Sequence, residues 1–257
     1  MPNHITNVVD IEDLGTSDLA TVRAQFVNDE GLVDFNVIKP MPECLREFEP
    51  GSNVVEPCKR ALGLYDEPVK DADGLSGLLA NMSASTAIRG LFRPVQAEDI
   101  PHIIRGIQNF AECGEIYWYD WCNKSWGTKW GAYDQPEDGH PDHETSFRFD
   151  TAWSHPSELL EIMSERCPGV QFHIRYADED TGSNCGSYRL KDGVRSDEDI
   201  APLVNQQTPQ QRIKYSEFAF RLRHGEDEDP ALHGYGPDWE YSDEIYDAAI
   251  QEQGGGA

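Results

Sequence analysis

Three short segments in the second half of the chain alternate apolar and polar residues with a period of two. In TSFRFDT (145–151), Phe147 and Phe149 alternate with Arg148 and Asp150. In VQFHIRY (170–176), Val170, Phe172, Ile174 and Tyr176 alternate with Gln171, His173 and Arg175. In GSYRLKDG (186–193), Tyr188 and Leu190 alternate with Ser187, Arg189 and Lys191. Successive side chains of a strand point to opposite faces, so one apolar set at period two predicts a sheet covered on one side.

Other segments arrange themselves around these strands. Ile5 to Glu12 is rich in β-branched residues and reads as a strand. Thr16 or Ser17 is positioned to cap a following helix in which Leu19, Val22, Phe26 and Val27 share a face, with Gly31 at its end. FNVIKPMPECL reads as an extended piece stopped by Pro40 and Pro42. Trp118, Trp121 and Cys122 fall at helical spacing, Gly127 suits a left-handed helix end, and Lys129 to Tyr133 reads as a further strand. Ser154 to Cys167, with Ser154 as candidate cap, Pro156 near the first position and Leu159, Leu160, Ile162 and Met163 as apolar contacts, predicts a helix between two of the alternating strands.

The resulting order is strand, helix, long insertion, strand, strand, helix, strand, strand. That is an α+β plan: a ferredoxin-like split βαβ antiparallel sheet with helices on one face and one extra strand. The core is expected over 1–195, with sheet elements in 1–45 and 116–195. The insertion, 46–115, reads as a loop from Glu47 to Asp73 followed by helices over Leu75 to Leu91 and along the Ile100, Ile103, Ile104, Ile107, Phe110 stripe, stopped by Gly114. The last part, 196–257, reads as an acidic extension with one or two helices. The first is introduced by a capping box, Thr208, Pro209 and Gln211, and docked through Ile213, Phe218, Phe220 and Leu222; the final GGGA is expected to be flexible.

Charge restricts function more than any motif does. The chain of 257 residues carries 47 Asp and Glu against 21 Lys and Arg, a formal net charge of −26. Such a chain is repelled by nucleic acid and by anionic membranes, so direct nucleic-acid binding is not expected. Two explanations stand: acidity as a solubility device, or acidity shaped to occupy a basic site on another protein. No run of about 18 apolar residues predicts a membrane span. MPNHITNVVD has neither the basic region nor the apolar core of a secretory signal, so a cytoplasmic protein is expected, with its six widely spaced cysteines reduced.

MPNHITN, FNVIKPMPECL, SWGTKWGAYD, FDTAWSHP, and YADED followed by a Gly-Ser-Tyr strand occur here in that order. Together they resemble the YubB-type ferredoxin-like family of conjugative plasmids and bacteriophages, over roughly 1–45 and 116–195. The resemblance implies an accessory protein of a mobile element and carries over no catalytic residue. This chain departs from the compact pattern in its insertion and in its acidic extension.

The candidate sites follow. In the extension no Lys or Arg occurs after Arg223, and Glu226, Asp227, Glu228, Asp229, Trp239, Glu240, Asp243 and Glu244 offer a carboxylate and aromatic surface to a partner. On the polar face of the sheet, Arg148, His173, Arg175, Arg189 and Lys191 would lie together. They would meet an acidic partner, be covered by the insertion or the acidic tail folding back, or remain ordinary surface cations. The loop Asp138 to Glu144 brings His140, Asp142, His143 and Glu144 close enough to suggest Zn²⁺ or Mn²⁺, in a spacing that matches no established metal motif; as a turn it needs no metal or other cofactor. The tryptophans 118, 121, 126, 130 and 153 read as core rather than as a base-stacking platform. No nucleophile elbow, P-loop, dinucleotide fingerprint or zinc-protease motif is present. The sequence therefore favours a binding protein that inhibits or redirects a host protein, one with a basic nucleic-acid-type site such as a nuclease-based defence enzyme. A metal-assisted hydrolase using the His140–Glu144 loop, or a scaffold for the element's own proteins, are the alternatives.

Overall fold

The computed structural model describes residues 3–64, 95–136 and 144–254. The chain divides into two compact units, Met1–Pro40 with Asn123–Ala257, and Met41–Cys122.

The first unit is built on a five-stranded sheet. Its strands are β1 (His4–Asp13), β2 (Ser146–Ala152), β3 (Gln171–Asp178), β4 (Gly186–Lys191) and β5 (Val194–Ile200), in the order β2-β1-β3-β4-β5. All neighbours are antiparallel. Strands β2 and β3 therefore run parallel to each other with β1 between them, which is the split βαβ arrangement the alternation predicts. Register places Val9 opposite both Phe147 and Ile174, Ile174 opposite Tyr188, and Phe172 opposite Leu190, so the apolar sets of all four strands share one face.

That face is covered by the helices α1 (Leu19–Arg23), α2 (Phe35–Ile38) and α3 (Ser157–Glu165) and their loops. Phe26 meets the rings of Phe147 and Phe172 edge-on at 4.8 and 6.4 Å, and Phe35 meets Phe149 at 5.8 Å and Trp126 at 5.7 Å. Leu159, Leu160 and Met163 of α3 are fully buried. Burying each such side chain stabilises the fold by about 1.5–3 kcal/mol before entropy is subtracted. On the opposite face lies α4 (Pro209–His224), whose Tyr215 and Ala219 pack on Ala177 and Cys185. Its capping box forms as its sequence predicts, whereas Ile213 is 40 % exposed.

Several local expectations are corrected. Asp18, not Thr16 or Ser17, caps α1 by accepting from Thr21 N. FNVI is one turn of helix rather than extended chain, because the Asp34 carboxylate accepts from Asn36 N at its start. Ser154 caps nothing: its hydroxyl donates to the Gly127 carbonyl, and α3 begins only after Pro156. The strand expected at Lys129–Tyr133 reduces to a single bridge, Tyr133 with Asp150. The fifth strand is instead β5, joined to β4 by the two-residue turn Asp192-Gly193. Both residues have positive φ (52° and 76°), as the tight hairpin turn of this twist requires. The boundary expected between 195 and 196 falls inside this strand.

Gly186 of β4 is needed for a different reason. A Cβ there would sit 2.7 Å from the Asp199 carbonyl oxygen and 2.9 Å from the Ile200 Cα, both backbone atoms of the neighbouring strand. Gly186→Val is expected to cost about 2 kcal/mol in chemical denaturation and to speed amide exchange selectively across residues 194–200. Protection there equal to that of the parent chain would show that β5 is held otherwise.

The second unit contains α5 (Glu43–Arg46), α6 (Ser52–Ala61), α7 (Ile100–Cys113) and, running into the first unit's chain segment, α8 (Trp118–Ser125). α6 lies where a loop was expected, and it contains Pro57. Phe48, Val54, Cys58 and Ile116 form its buried cluster, with Ile103, Ile107 and Phe110 of α7 packed against it. Ile100 and Ile104 of the same stripe are about half exposed (48 % and 50 %). Gly114 closes α7 in the left-handed conformation, as predicted. The helix expected at Leu75–Leu91 and the final GGGA lie outside the described residues, apart from Gly254. All six cysteines are free, and the Sγ atoms of Cys44 and Cys113 are 3.8 Å apart.

Candidate functional site

The residues of the sequence motifs separate onto the two faces of the sheet. On the covered face, Asn7 is fully buried. Its amide nitrogen donates to the Ile5 carbonyl and to Thr151 Oγ1, while Thr151 Oγ1 itself donates to the Ser154 carbonyl. The Asn7 Oδ1 is left facing His155 Nδ1 at 2.7 Å, so that nitrogen carries the proton. His155 Nε2 then accepts from the Tyr188 hydroxyl at 2.8 Å, and the imidazole stacks on Tyr176 at 4.1 Å. Asn7, Thr151, His155 and Tyr188 are thus each hydrogen-bonded within the protein. This chain of contacts ties β1, β2 and β4 to the segment entering α3.

The other face carries the five predicted cations, and they do lie together on it. Most are occupied. Arg175 Nη2 pairs with Asp10 at 2.7 Å. Arg189 makes two bonds to Glu12, at 2.8 and 3.0 Å, and a third contact to Asp197 at 3.1 Å. The hydrogen bond from Arg189, followed by that from Gln171, holds the Glu12 carboxyl down at about 2. His173 Nδ1 is 3.7 Å from Glu12, and burial keeps its imidazole below its ordinary range. Arg148 donates to the carbonyls of Leu222 and Arg223 at 2.6 and 2.8 Å, closing the C-terminal end of α4. Lys191 is exposed, with no ion pair among the described residues. Sequence reasoning located the face but missed its carboxylates, Asp10 and Glu12, which come from β1.

Between this face and α4 lies a cleft of about 680 Å³ lined by Val8, Ser146, Arg148 and Arg175 of the sheet and by Lys214, Glu217, Phe218 and Arg221 of the helix. Its cations are also engaged: Lys214 pairs with Asp199 at 2.6 Å, and Arg221 donates to the carbonyls of Glu226 and Glu228. The cleft offers no free cation set for an acidic ligand.

Beyond α4 the chain is ordered around aromatic rings. Phe220 contacts Tyr235 at 5.8 Å, Trp239 at 5.4 Å and His233 at 5.1 Å, and Tyr235 meets Tyr241 at 6.1 Å. The segment continues into α9 (Asp243–Gly254). Trp239, expected at a partner surface, is half-buried in this cluster, with Arg221 over its ring. Asp229 caps the short turn Pro230–His233, and Glu228 accepts from His233 at 2.9 Å. Glu226, Asp227, Glu240, Asp243 and Glu244 are exposed. From residue 224 onward the chain has ten carboxylates and no Lys or Arg.

One cluster was not foreseen. His4 of β1, Asp150 of β2 and Asp134 lie with their ligand-type atoms all within 4.8 Å of one another. They come from MPNHITN, FDTAWSHP and SWGTKWGAYD, separated by up to 146 residues of chain, and only the pairing of β1 with β2 and the Tyr133–Asp150 bridge bring them together. His4 Nδ1 is 2.8 Å from the Tyr133 hydroxyl, and burial with the charges of Asp150 and Asp134 pushes that phenol up to about 12. The His140, Asp142 and His143 ligands of the expected metal loop lie outside the described residues; Glu144 is exposed. Of the tryptophans, 121 and 126 are core, but Trp153 is 53 % exposed with φ of 72°, which corrects its assignment to the core.

Residues 129–219 match the ferredoxin-like domain in Api92-like protein. The ferredoxin-like domain so matched takes in β2 to β5, α3 and most of α4, together with Asp134 and Asp150; β1 and His4 precede it. No curated protein and no solved structure matches the chain. No helix among the described residues is long and apolar enough to cross a membrane.

Proposed function

We propose that this protein is an accessory factor of a phage or plasmid that binds a host protein and blocks its basic, nucleic-acid-type site, acting in the host cytoplasm. The observation that carries the reading is the C-terminal extension: ten carboxylates without a single Lys or Arg after residue 223. A flexible acidic tail would serve solubility equally well. Here the carboxylates sit on a frame fixed by Phe220, Tyr235 and Trp239, so their spacing is set before a partner arrives. Preorganised charge increases encounter rate and selects a complementary cationic surface. On the sheet face Arg175 and Arg189 are paired with Asp10, Glu12 and Asp197, and Arg148 is engaged at the end of α4, which favours the extension over this face as the docking surface.

The test is capture from host lysate on the immobilised full chain. A bound protein is expected at low salt, released at high salt and displaced by duplex DNA. Replacing Glu226, Asp227, Glu240, Asp243 and Glu244 by their amides is expected to weaken capture by about tenfold or more. A partner retained equally by the amide variant and indifferent to DNA would overturn the reading. Capture only of proteins encoded by the mobile element would replace it with the scaffold role.

A further inference from the structure

The cluster of His4, Asp134 and Asp150 supports an inference independent of the acidic extension. We propose that His4, Asp134 and Asp150 form a binding site for a divalent first-row transition-metal ion.

The donor set is one imidazole and two carboxylates, a combination that suits Mn²⁺, Fe²⁺ or Zn²⁺ better than the all-oxygen sets of Mg²⁺ and Ca²⁺. Metal–ligand bonds of about 2.0–2.2 Å place donor atoms roughly 3–4.4 Å apart. The three groups already lie within 4.8 Å of one another, so side-chain rotation suffices to close the site. Two ligands stand on paired strands, where His4 and Asp150 project from the same face. The third follows Tyr133, which is fixed by reciprocal backbone bonds to Asp150 of 3.0 and 2.7 Å. A contact from Tyr133 to the His4 ring provides the outer-shell orientation that metal-binding imidazoles commonly need. Among the described residues neither Asp134 nor Asp150 has a salt bridge. Arg148, the cation nearest along β2, is turned to the carbonyls of Leu222 and Arg223. Three ligands leave coordination positions for water or for an oxygen of a bound molecule.

The experiment is a Mn²⁺ titration of the chelator-stripped full chain, followed by the loss of the free-ion electron paramagnetic resonance signal, with Zn²⁺ as competitor. One ion is expected per chain, displaced by Zn²⁺. Asp150→Asn, Asp134→Asn and His4→Gln are each expected to weaken binding at least about tenfold. Asp134→Asn keeps the backbone intact because asparagine tolerates the positive φ of 47° at that position. Its thermal melt without metal should match the parent, while the stabilisation by added Mn²⁺ disappears. His140→Ala/His143→Ala should bind as the parent does. Failure to bind Mn²⁺ or Zn²⁺ at millimolar concentration overturns the proposal. So does binding that survives all three ligand changes, or that is lost only in the His140/His143 variant.

Discussion

His155→Ala is expected to lower the stability of the sheet unit by about 3–5 kcal/mol, read from chemical denaturation followed by circular dichroism. The substitution deletes a ring stacked on Tyr176 and in edge contact with Tyr188. It also strands the Asn7 Oδ1 and the Tyr188 hydroxyl, for which the imidazole is the hydrogen-bond partner among the described residues. A cavity and two orphaned polar groups act in the same direction. A loss below about 1 kcal/mol would mean that water or a shifted Asn7 replaces the ring at little cost.

The same residue sets a pH dependence. Burial first, and the nearby Arg195 charge second, push the His155 imidazole down to about 3. In the unfolded chain it titrates near 6.5. The folded state thus holds the weaker base, and between these values the unfolded chain binds more protons. Stability from this group is complete above pH 6.5 and is lost as pH falls towards about 3, at roughly 1 kcal/mol per pH unit. His155 retains some exposure as a residue, so the full loss is placed at about 2–4 kcal/mol. In His155→Ala the acid limb of the stability profile should flatten between pH 6.5 and 4.

Arg148→Met should have the second largest consequence, about 2–3 kcal/mol, concentrated in α4. Its guanidinium is half-buried and donates to two carbonyls at the negative end of that helix. Methionine fills similar volume but leaves both carbonyls without that donor and removes a favourable charge from the helix end. Amide exchange should accelerate in residues 216–224 and in the aromatic cluster beyond, while β1 and β3 stay protected. If the acidic surface requires this support, capture of the host partner should weaken along with the exchange protection. Unchanged exchange in α4 would show that Tyr215, Ala219 and Phe220 hold the helix unaided.

The legibility of the fold followed the physics of each element. Phe147, Phe149, Phe172, Ile174, Tyr188 and Leu190 could be placed on one face because a half-buried strand writes its burial at period two. Strand β5 could not, because VRSDEDI lies at the sheet border with little to bury and shows no such alternation. Its cue was Asp192-Gly193, a pair suited to positive φ at both turn positions. The helical turn of FNVI is not legible, because its apolar run is too short to show a helical period and the deciding group, the Asp34 side chain, lies outside it. The cationic face was legible, whereas its neutralisation by Asp10 and Glu12 was not, since pairing partners depend on register. His4, Asp134 and Asp150 are unremarkable in three separate motifs. Their meeting is a property of the β1–β2 pairing and the Tyr133 bridge, not of any local pattern.

That bridge bears also on how molecules of this protein behave in a crowd. A sheet border with open amides and carbonyls invites a second chain to add itself as a strand. On the β2 side, the backbone of Tyr133 occupies hydrogen-bonding positions at Asp150 that a visiting strand would need. On the β5 side Asp197 and Asp199 are paired with Arg189 and Lys214, and Glu198 between them would confront its counterpart on an identical border with like charge. One rim is blocked by the protein's own chain and the other by repulsion, so strand-to-strand polymerisation finds no ready starting point.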